Sequence, residues 1–378
     1  MKRKILHVIT SLTDGGAEGV LYRIIISKNE KLDHVVVCLT NGHKYNHLFA
    51  KACIKVKNLD ITNFYNFFTG FFKLCFLIYK ERPNIVQTWM YHSDVIGGLA
   101  AYFVGIKKIY WNIRSAEFHQ GQKFTTKVFI KISAFLSNFI PKGIITCSQR
   151  AIIIHKKIGY KSNFILIDNG IDITKNHPSK NKRSKIRDKL NIDDSCVLIG
   201  MVARYHPQKD HLNLLKAISQ IKNSRFKILL VGSNIDHNNK YLLEVITKFN
   251  VTDKIILYGQ SSKINEIMCA IDFLVLPSSY GEAFPNVLIE AMSVGTPCIA
   301  TDVGDSKRII GNFGWVVPPN DPIKLTEIII TAIDLKINNN SNYIILTKGC
   351  INRVIQNFKL DYMVSKYENL WMNYKEIR

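Results

Sequence analysis

Short runs of apolar and β-branched residues recur along the chain and alternate with longer stretches of helical periodicity. The short runs show little polar alternation, which is typical of parallel strands that are covered on both faces. The predicted strands form two sets in chain order: 5–10, 34–39, 85–89, 108–113, 143–147 and 164–167, followed by 197–202, 227–231, 255–258, 273–276, 298–300 and 315–317. Two such sets, joined by crossover helices, predict two doubly wound α/β domains.

A polar and basic stretch, residues 174–189, separates the two sets of strands and is nearly free of apolar residues. It is the natural connection between domains, so we predict a first domain over 1–180 and a second over 191–355. The spacing of apolar residues predicts a terminal amphipathic helix within 356–378. Open α/β sheets bind ligands at the carboxyl ends of their strands, and a site is therefore expected where those ends of the two sheets face each other.

Two apolar segments resemble an export signal or a membrane span, but neither is interpreted as one. The run at the amino terminus ends at Ile9, which is too short for the core of a signal peptide. The segment 61–79 is crowded with phenylalanines but is interrupted by Asn63, Asn66 and Lys73. We interpret it as a very apolar helix of the core, with the alternative that its exposed edge touches a membrane.

Charge is distributed unevenly along the 378 residues, which carry 51 Lys and Arg against 29 Asp and Glu. Residues 1–190 have a net charge of +20 and residues 191–378 a net charge of +2. The first half is therefore expected to face something anionic, although a lysine-rich composition is a simpler alternative. Eight cysteines without a C-x-x-C pair favour a reducing cytoplasm over a disulfide scaffold or a zinc ribbon.

The segment 277–297, PSSYGEAFPNVLIEAMSVGTP, is the most informative of the chain. A strand ends at its start, a polar loop follows, and Pro285 suits the first position of a helix because it has no N–H to lose there. The backbone amides of 284–287 then form a helix N-terminus, which attracts phosphate. Glu282 in the loop and Glu290 within the helix are placed to accept hydrogen bonds from hydroxyl groups on either side of such a phosphate. The neighbours of Glu290 are apolar, and a carboxylate without a partner is costly in such surroundings, which favours a functional role for it.

Two further strand-to-helix loops carry groups that suit an anionic ligand. Arg204 and Lys209 follow the strand 197–202, and this spacing suits a clamp on a diphosphate, although the signal is weak by itself. Gly15 and Gly16 follow the first strand and would let the backbone approach a ligand closely, with a plain tight turn as the alternative. The G-x-G-x-x-G spacing of a dinucleotide fingerprint is absent there.

Polar groups also cluster where predicted strands of the first domain end. The candidates for ligand contacts there are His92, Asp94, Arg114, Ser115 and Glu117.

Together these motifs resemble the retaining family 4 glycosyltransferases. The resemblance rests on Glu282 and Glu290 as E-x7-E, on Arg204 and Lys209, on the GGAE of 15–18 and on the N-G-I-D of 169–172. It extends over nearly the whole chain and is most specific around 277–305. The stretches 87–98 and 111–115 resemble members that build bacterial surface polysaccharides such as lipopolysaccharide or capsule. The resemblance implies the GT-B fold, in which two Rossmann-like domains face each other across a cleft and the final helix crosses back to the first domain.

The resemblance also implies roles for individual residues. Arg204 and Lys209 would hold the donor diphosphate and stabilise the leaving charge, with Glu282 on the donor sugar and Glu290 on the ribose. The phosphate pocket would be completed by backbone around the following residues: Gly15, Gly16, Phe284, Pro285, Asn286 and Val287. Where many members carry a histidine on the donor sugar, residues 112–115 have none, and His92 or Arg114 is the expected substitute.

The implied reaction transfers a sugar from a UDP- or GDP-linked donor, with retention, to a hydroxyl of a growing, lipid-linked surface glycan. No metal ion or other cofactor is expected, because the sequence holds no D-x-D to bind one against the diphosphate. The expected location is the cytoplasm, on the inner face of the cytoplasmic membrane, with peripheral contact to anionic lipid and no nucleic-acid partner.

Two alternatives remain open at this point. A nucleotide-sugar 2-epimerase shares the two-domain architecture but lacks the E-x7-E loop with its Arg and Lys clamp. A non-enzymatic, basic protein that binds nucleic acid or a membrane would account for the charge alone.

Overall fold

The computed structural model of the protein describes residues 2–13, 15–27, 29–40, 44–61, 65–116, 124–222 and 225–372. The chain divides into two compact units. The first comprises Met1–Asn169 and Tyr362–Arg378, and the second comprises Gly170–Asp361. No helix among the described residues is long and apolar enough to cross a membrane.

The first unit is built on a sheet of seven parallel strands within its described residues, in the order β3-β2-β1-β4-β5-β6-β7. Its strands are β1 (Arg3–Ile9), β2 (Leu32–Cys38), β3 (Lys55–Asn58), β4 (Ile85–Trp89), β5 (Ile109–Ile113), β6 (Gly143–Thr146) and β7 (Phe164–Leu166). Its helices are α1 (Gly16–Ile26), α2 (Lys44–Lys51), α3 (Tyr65–Glu81), α4 (Tyr91–Phe103), α5 (Phe124–Leu136) and α6 (Gln149–Ile158).

The second unit has six parallel strands within its described residues, in the order β10-β9-β8-β11-β12-β13. They are β8 (Val197–Val202), β9 (Phe226–Val231), β10 (Ile255–Gly259), β11 (Phe273–Leu276), β12 (Cys298–Thr301) and β13 (Gly314–Val317). Its helices are α7 (Lys180–Lys189), α8 (His211–Ser219), α9 (Lys240–Lys248), α10 (Ile264–Ala270), α11 (Asn286–Ser293), α12 (Ser306–Ile310), α13 (Pro322–Asn338) and α14 (Asn340–Asn357). Two single 3₁₀ turns cover Pro207–Lys209 and Thr252–Lys254, and α15 (Leu360–Met372) begins in this unit and ends in the first.

The prediction of two doubly wound parallel sheets is confirmed, and β4, β8 and β11 have the predicted bounds. The sequence did not predict β3. This strand lies at the edge of its sheet, and the pattern of apolar residues could not find it because Lys55 and Lys57 make it polar and mostly exposed.

The connection between the units differs from the prediction. The division falls between Asn169 and Gly170, ahead of the expected limit at 180, and residues 180–189 of the expected linker form α7. Ser179 caps this helix by accepting from the Lys182 N–H at 3.3 Å. The apolar pattern could not predict this helix, because its buried side chains are a single isoleucine, Ile186, and the charged Arg187.

Asp272, which is 1% exposed just before β11, holds α7 against the second sheet. Its carboxylate accepts hydrogen bonds from Arg183 at 2.9 Å and from Arg187 at 3.3 Å. It also accepts from the backbone N–H of Leu198 at 2.8 Å, and the ammonium of Lys336 lies 3.6 Å away. Part of the basic charge of the expected linker therefore has a structural role.

The end of α15 is fastened to the first sheet by hydrogen bonds. The indole N–H of Trp371 donates to the Gln87 side chain at 2.8 Å, and Arg3 donates to the carbonyls of Trp371 and Met372 at 2.6 Å each. Beside Trp371 lie two histidines, His7 and His34, whose Nε2 and Nδ1 atoms are 3.0 Å apart.

Both histidines of this pair are neutral at neutral pH. Burial holds the pKa of His7 well below its usual value and lowers the pKa of His34 to about 4, with a small opposing effect of Asp33 on His34. The indole N–H of Trp89 points at Nδ1 of His7, at 3.4 Å. The neutral ring of His7 therefore carries its proton on Nε2 and donates to His34.

Acidification is expected to destabilise the first unit through this pair. Because the pKa of His34 is lower in the folded state than in the unfolded state, its contribution to stability is full above pH 6.5 and is lost as the pH falls towards 4. Urea unfolding at pH 7 and pH 5, followed by tryptophan fluorescence, measures the loss. The loss should be smaller by about 2 kcal/mol in His34→Asn than in the unmodified protein. Equal losses in the two proteins would show that the pair does not control this pH dependence.

Candidate functional site

The two most informative loops of the sequence follow neighbouring strands in the middle of the second sheet. After β8 the chain continues to β9 on one side, and after β11 it continues to β12 on the other side. The strand order therefore reverses between β8 and β11. Doubly wound sheets bind ligands outside the carboxyl ends of the strands at such a reversal.

Arg204 follows β8 and is exposed. Within the described ranges its guanidinium group has no hydrogen-bond or ion-pair partner. The backbone beneath it is fixed, because the Tyr205 N–H donates to the Ser233 carbonyl at 2.9 Å. Gly232 passes so close that a Cβ atom there would lie 2.1 Å from the Ala203 carbonyl oxygen, which no other residue type allows.

Glu282 is 7% exposed in the loop after β11, and its carboxylate is stabilised by two neighbours. The Ser278 hydroxyl donates to Oε1 at 2.7 Å, and the Lys209 ammonium forms an ion pair with the same oxygen. Two residues that the sequence placed in one site, Lys209 and Glu282, are thus in direct contact although 72 residues lie between them. Each neutralises the charge of the other, which lowers the cost of burying them.

Residues that the sequence analysis did not assign hold this loop in place. The Thr301 hydroxyl donates to the Ser278 carbonyl at 2.5 Å, and the Asp305 N–H donates to the Ala283 carbonyl at 2.9 Å. Gly304 has φ +61°, and a Cβ atom on it would lie 2.3 Å from the Glu282 carbonyl oxygen. The sequence did contain a signal, since Gly304 ends the Thr-Asp-Val-Gly stretch that contributed to the resemblance.

The segment before α11 differs in detail from the prediction. Pro285 is the N-cap of the helix rather than its first residue, and as a proline it offers no N–H to a ligand. Phe284 is buried and packs edge-to-face on Phe358 with ring centroids 5.6 Å apart. Neither side chain carries a hydrogen-bond donor, so of these two residues only Phe284 has an N–H, on its backbone, for the predicted phosphate contact.

The first residues of α11 keep the predicted chemistry. The first N–H groups of a helix point out of its end, and here they belong to Asn286 and Val287, which are partly exposed. Glu290 is the fifth residue of the helix and is also partly exposed, whereas its neighbours Leu288 and Ile289 are fully buried. The helix therefore buries its apolar face and leaves Glu290 accessible.

The turn of Gly15 and Gly16 at the start of α1 contains a carboxylate. Glu18 accepts from the hydroxyls of Thr13 at 3.3 Å and Ser11 at 3.5 Å, and a Cβ atom on Gly15 would lie 2.3 Å from its Oε2. A Cβ atom on Gly16 would meet nothing within 4 Å. The Glu18 carboxylate therefore lies against Gly15, and the predicted phosphate contact at this turn would face a negative charge.

Two of the first-domain candidates have hydrogen-bond partners within the protein. Asp94 is fully buried and accepts from the Thr88 hydroxyl at 2.5 Å, and burial raises its pKa well above the usual range, which favours the neutral carboxyl group. Arg114 donates to Tyr367 at 3.3 Å, to Asn112 at 3.4 Å and to Asn169. Complete burial argues against a ligand contact for Asp94, whereas Arg114 is partly exposed and stays a predicted contact that also has protein partners.

Two other candidates remain accessible. His92 is partly exposed, lies against Phe129 with ring centroids 4.4 Å apart, and has a pKa lowered by burial, so the ring is neutral. Ser115 is partly exposed and hydrogen-bonds to Tyr91. Glu117 lies outside the described residues. No group of three or more His, Cys, Asp or Glu side chains that could hold a metal ion occurs in the described part of the chain.

Comparison with known proteins gives consistent findings. Residues 182–345 match the family model described as Glycosyl transferases group 1. Over 98% of this chain and 97% of the relative, the sequence is 24% identical to the UDP-Gal:alpha-D-GlcNAc-diphosphoundecaprenol alpha-1,3-galactosyltransferase of Escherichia coli.

Two solved structures resemble the fold over nearly its whole length. Anabaena HepE in complex with UDP has a TM-score of 0.86 at 20% identity, over 97% of this chain and 99% of HepE. Sucrose-phosphate synthase from Thermosynechococcus elongatus has a TM-score of 0.75 at 18% identity, over 98% of each chain. The expected GT-B fold, with two parallel-sheet α/β domains, is confirmed.

Proposed function

We propose that the chain, which matches the glycosyl transferases group 1 model over residues 182–345, is a retaining enzyme that transfers a sugar from a nucleotide diphosphate to a glycan hydroxyl. The observation that carries this proposal is the cluster of Arg204, Lys209 and Glu282 at the reversal between β8 and β11. A cation that bonds to no described residue, an ion pair and a helix N-terminus would stabilise the charge of a leaving diphosphate.

In the proposed reaction the bond between the anomeric carbon and the phosphate oxygen breaks while the acceptor oxygen attacks from the same face. The acceptor proton passes to the leaving phosphate, so no protein nucleophile is needed and the configuration is retained. Arg204 binds two oxygens of the diphosphate through its planar fork. The diphosphate competes with Glu282 for the Lys209 ammonium, and Glu282 is then available to accept hydrogen bonds from sugar hydroxyls. Glu290 accepts from the ribose.

The same two cations support a reaction that does not require a metal ion. Arg204 and Lys209 supply positive charge where the diphosphate oxygens gain negative charge. We therefore also propose that the reaction needs neither a metal ion nor another cofactor.

The acceptor side of the proposal rests on the first unit. Because Asp94 is fully buried, the partly exposed His92, Arg114 and Ser115 are the candidates to contact the sugar or the acceptor. The neutral ring of His92 can donate or accept a hydrogen bond from a hydroxyl.

Relatives support the substrate class. The name of the Escherichia coli relative gives a UDP-linked donor and a diphosphoundecaprenol-linked acceptor, and HepE structures contain UDP and UDP-glucose. We therefore propose a UDP-sugar donor ahead of a GDP-sugar and a lipid-linked glycan acceptor in surface-polysaccharide synthesis. Such an acceptor implies a cytoplasmic enzyme in peripheral contact with the inner face of the membrane.

Donor screening tests the proposed function. Purified protein is mixed with a panel of UDP- and GDP-sugars, and thermal unfolding and donor hydrolysis are measured. A saturating UDP-sugar is expected to raise Tm by about 5 °C, because a ligand that binds only the folded state stabilises it. It is also expected to be hydrolysed slowly to UDP and free sugar with the anomeric configuration of the donor.

Two outcomes would contradict the proposal. Epimerisation of the sugar without an acceptor would favour the nucleotide-sugar 2-epimerase. Binding to polyanions with a steep salt dependence, but no response to any nucleotide sugar, would favour a non-enzymatic basic protein.

A further inference from the structure

The outer side of α3 is lined by exposed aromatic residues. They are Tyr65, Phe68, Phe72, Phe76 and Tyr79, and each is more than half exposed. Their spacing of three and four residues places them in one stripe along the helix. The opposite side of α3 is buried through Gly70, Leu74 and Ile78. The helix is therefore anchored in the core on one side and presents an apolar stripe on the other.

A second stripe of the same kind runs along α5. It consists of Phe124, Val128, Ile132 and Phe135, again three or four residues apart, and Phe139 continues it beyond the helix. Phe124, Phe135 and Phe139 are each more than 60% exposed. Ile130 and Ala134, on the inner side, are buried.

The two stripes belong to one surface of the first unit. Helix α4 lies between the two helices: Phe103 at its end contacts Phe71 of α3, with ring centroids 6.2 Å apart, and His92 near its start contacts Phe129 of α5. All three helices bury their inner sides in the same core. Tyr102 and Phe103 are exposed between the stripes. We call the stripes, with these two residues, the aromatic face.

The charges around the aromatic face are all of one sign. Lys73, Lys80, Lys127 and Lys131 are exposed on the same helices. The sequence has no Asp or Glu between positions 61 and 80, and none between 118 and 167. The whole first unit carries 27 Lys and Arg against 11 Asp and Glu, a net charge of +16.

We propose that the aromatic face docks on the headgroup region of an anionic bilayer. Aromatic residues partition into that region, and the lysines beside them are attracted to anionic lipid. A second copy of the chain is a poorer occupant, because a symmetric pair would set these lysines against each other. Helix α5 has no carboxylate, and the carboxylate that ends α3, Glu81, already pairs with Lys4 and Lys55. This inference rests on the proposed function and extends it. Docking would bring the enzyme to the membrane surface at which a lipid-linked acceptor is presented.

Vesicle sedimentation of the full chain tests the docking surface. The protein is expected to bind vesicles that contain an anionic lipid more tightly than purely zwitterionic vesicles, and less tightly as salt increases. The double variant Phe72→Ser and Phe76→Ser is expected to weaken binding about 10-fold or more. The matched control is Tyr241→Ser with Ile323→Ser, which removes two apolar side chains of similar exposure, 62% and 64%, from the second unit and should leave binding unchanged.

The charge contribution is tested separately by Lys73→Glu with Lys131→Glu. This variant should lose binding to anionic vesicles and keep any weak binding to zwitterionic ones. Docking is refuted if the unmodified protein ignores anionic vesicles at low salt or if the Phe72 and Phe76 variant binds as the control does. Docking is also refuted if the unmodified protein self-associates in solution without binding vesicles and the Phe72 and Phe76 substitutions abolish that self-association. This result would assign the aromatic face to contact with a second copy of the chain.

Donor hydrolysis keeps this inference distinct from the proposed function. The Phe72 and Phe76 variant should hydrolyse a UDP-sugar as the unmodified protein does, because the substituted side chains lie on the exposed side of α3 and the proposed diphosphate-binding residues belong to the second unit. Vesicle binding without any response to nucleotide sugars would leave the docking surface standing and contradict the proposed reaction.

Discussion

Replacing Arg204 by alanine is expected to lower the transfer rate at least about 100-fold, equivalent to roughly 3 kcal/mol of transition-state stabilisation. The guanidinium is exposed and bonds to no other described residue, so the fold does not depend on it. Its loss removes the group that is placed to bind the diphosphate as negative charge develops there. The effect should therefore appear in kcat/KM with little change in Tm.

Arg204→Lys separates charge from geometry. Lysine keeps the positive charge but loses the planar fork, so an intermediate rate is expected. Lys248→Ala, which removes an exposed cation at the end of α9, is the matched control and should retain full activity. If Arg204→Ala transferred sugar at the unmodified rate, Arg204 would have no place in the proposed diphosphate site.

The fold could be predicted from the sequence because parallel strands that are buried on both faces consist of continuous apolar residues. That is why β8 and β11, the strands that carry the site, were found with their bounds. The apolar pattern did not predict elements whose buried side chains are partly charged or whose side chains are mostly exposed. Helix α7 is held by Arg183 and Arg187, and β3 is an exposed edge strand.

The site was predicted as residue types in two loops, and the structure supplies the contacts between them. The sequence could not show that Lys209 pairs with Glu282, because that contact depends on β8 and β11 being neighbours. The sequence also could not show that the Glu18 carboxylate lies against Gly15. A Gly-Gly pair before a helix has the same sequence pattern whether or not a nearby side chain occupies the turn. Asp94 was misassigned because its position after a strand says nothing about complete burial.

Replacing Asp272 by asparagine is expected to destabilise the second unit by about 3–5 kcal/mol, because it leaves the buried Arg187 without its buried carboxylate partner. Arg187 is 2% exposed, and Asp272 is its buried carboxylate partner. Asparagine is nearly the same size and can still accept from the Leu198 N–H. The loss of stability would therefore come from the missing negative charge and not from a cavity. Urea unfolding followed by circular dichroism, with hydrogen exchange at β8 and β11, locates the change.

Asp194→Ala provides a matched control within the same cluster. The Asp194 carboxylate also contacts Arg183, at 3.4 Å, and Arg187, at 3.5 Å, but its side chain is 87% exposed. An exposed ion pair contributes at most about 1 kcal/mol, so this variant should unfold almost as the unmodified protein does. Burial, not the number of ion pairs, then sets the contribution of each carboxylate. If the two variants were equally destabilised, or if exchange increased at β1 and β4 instead of β8 and β11, Asp272 would not be what holds α7 to the second sheet.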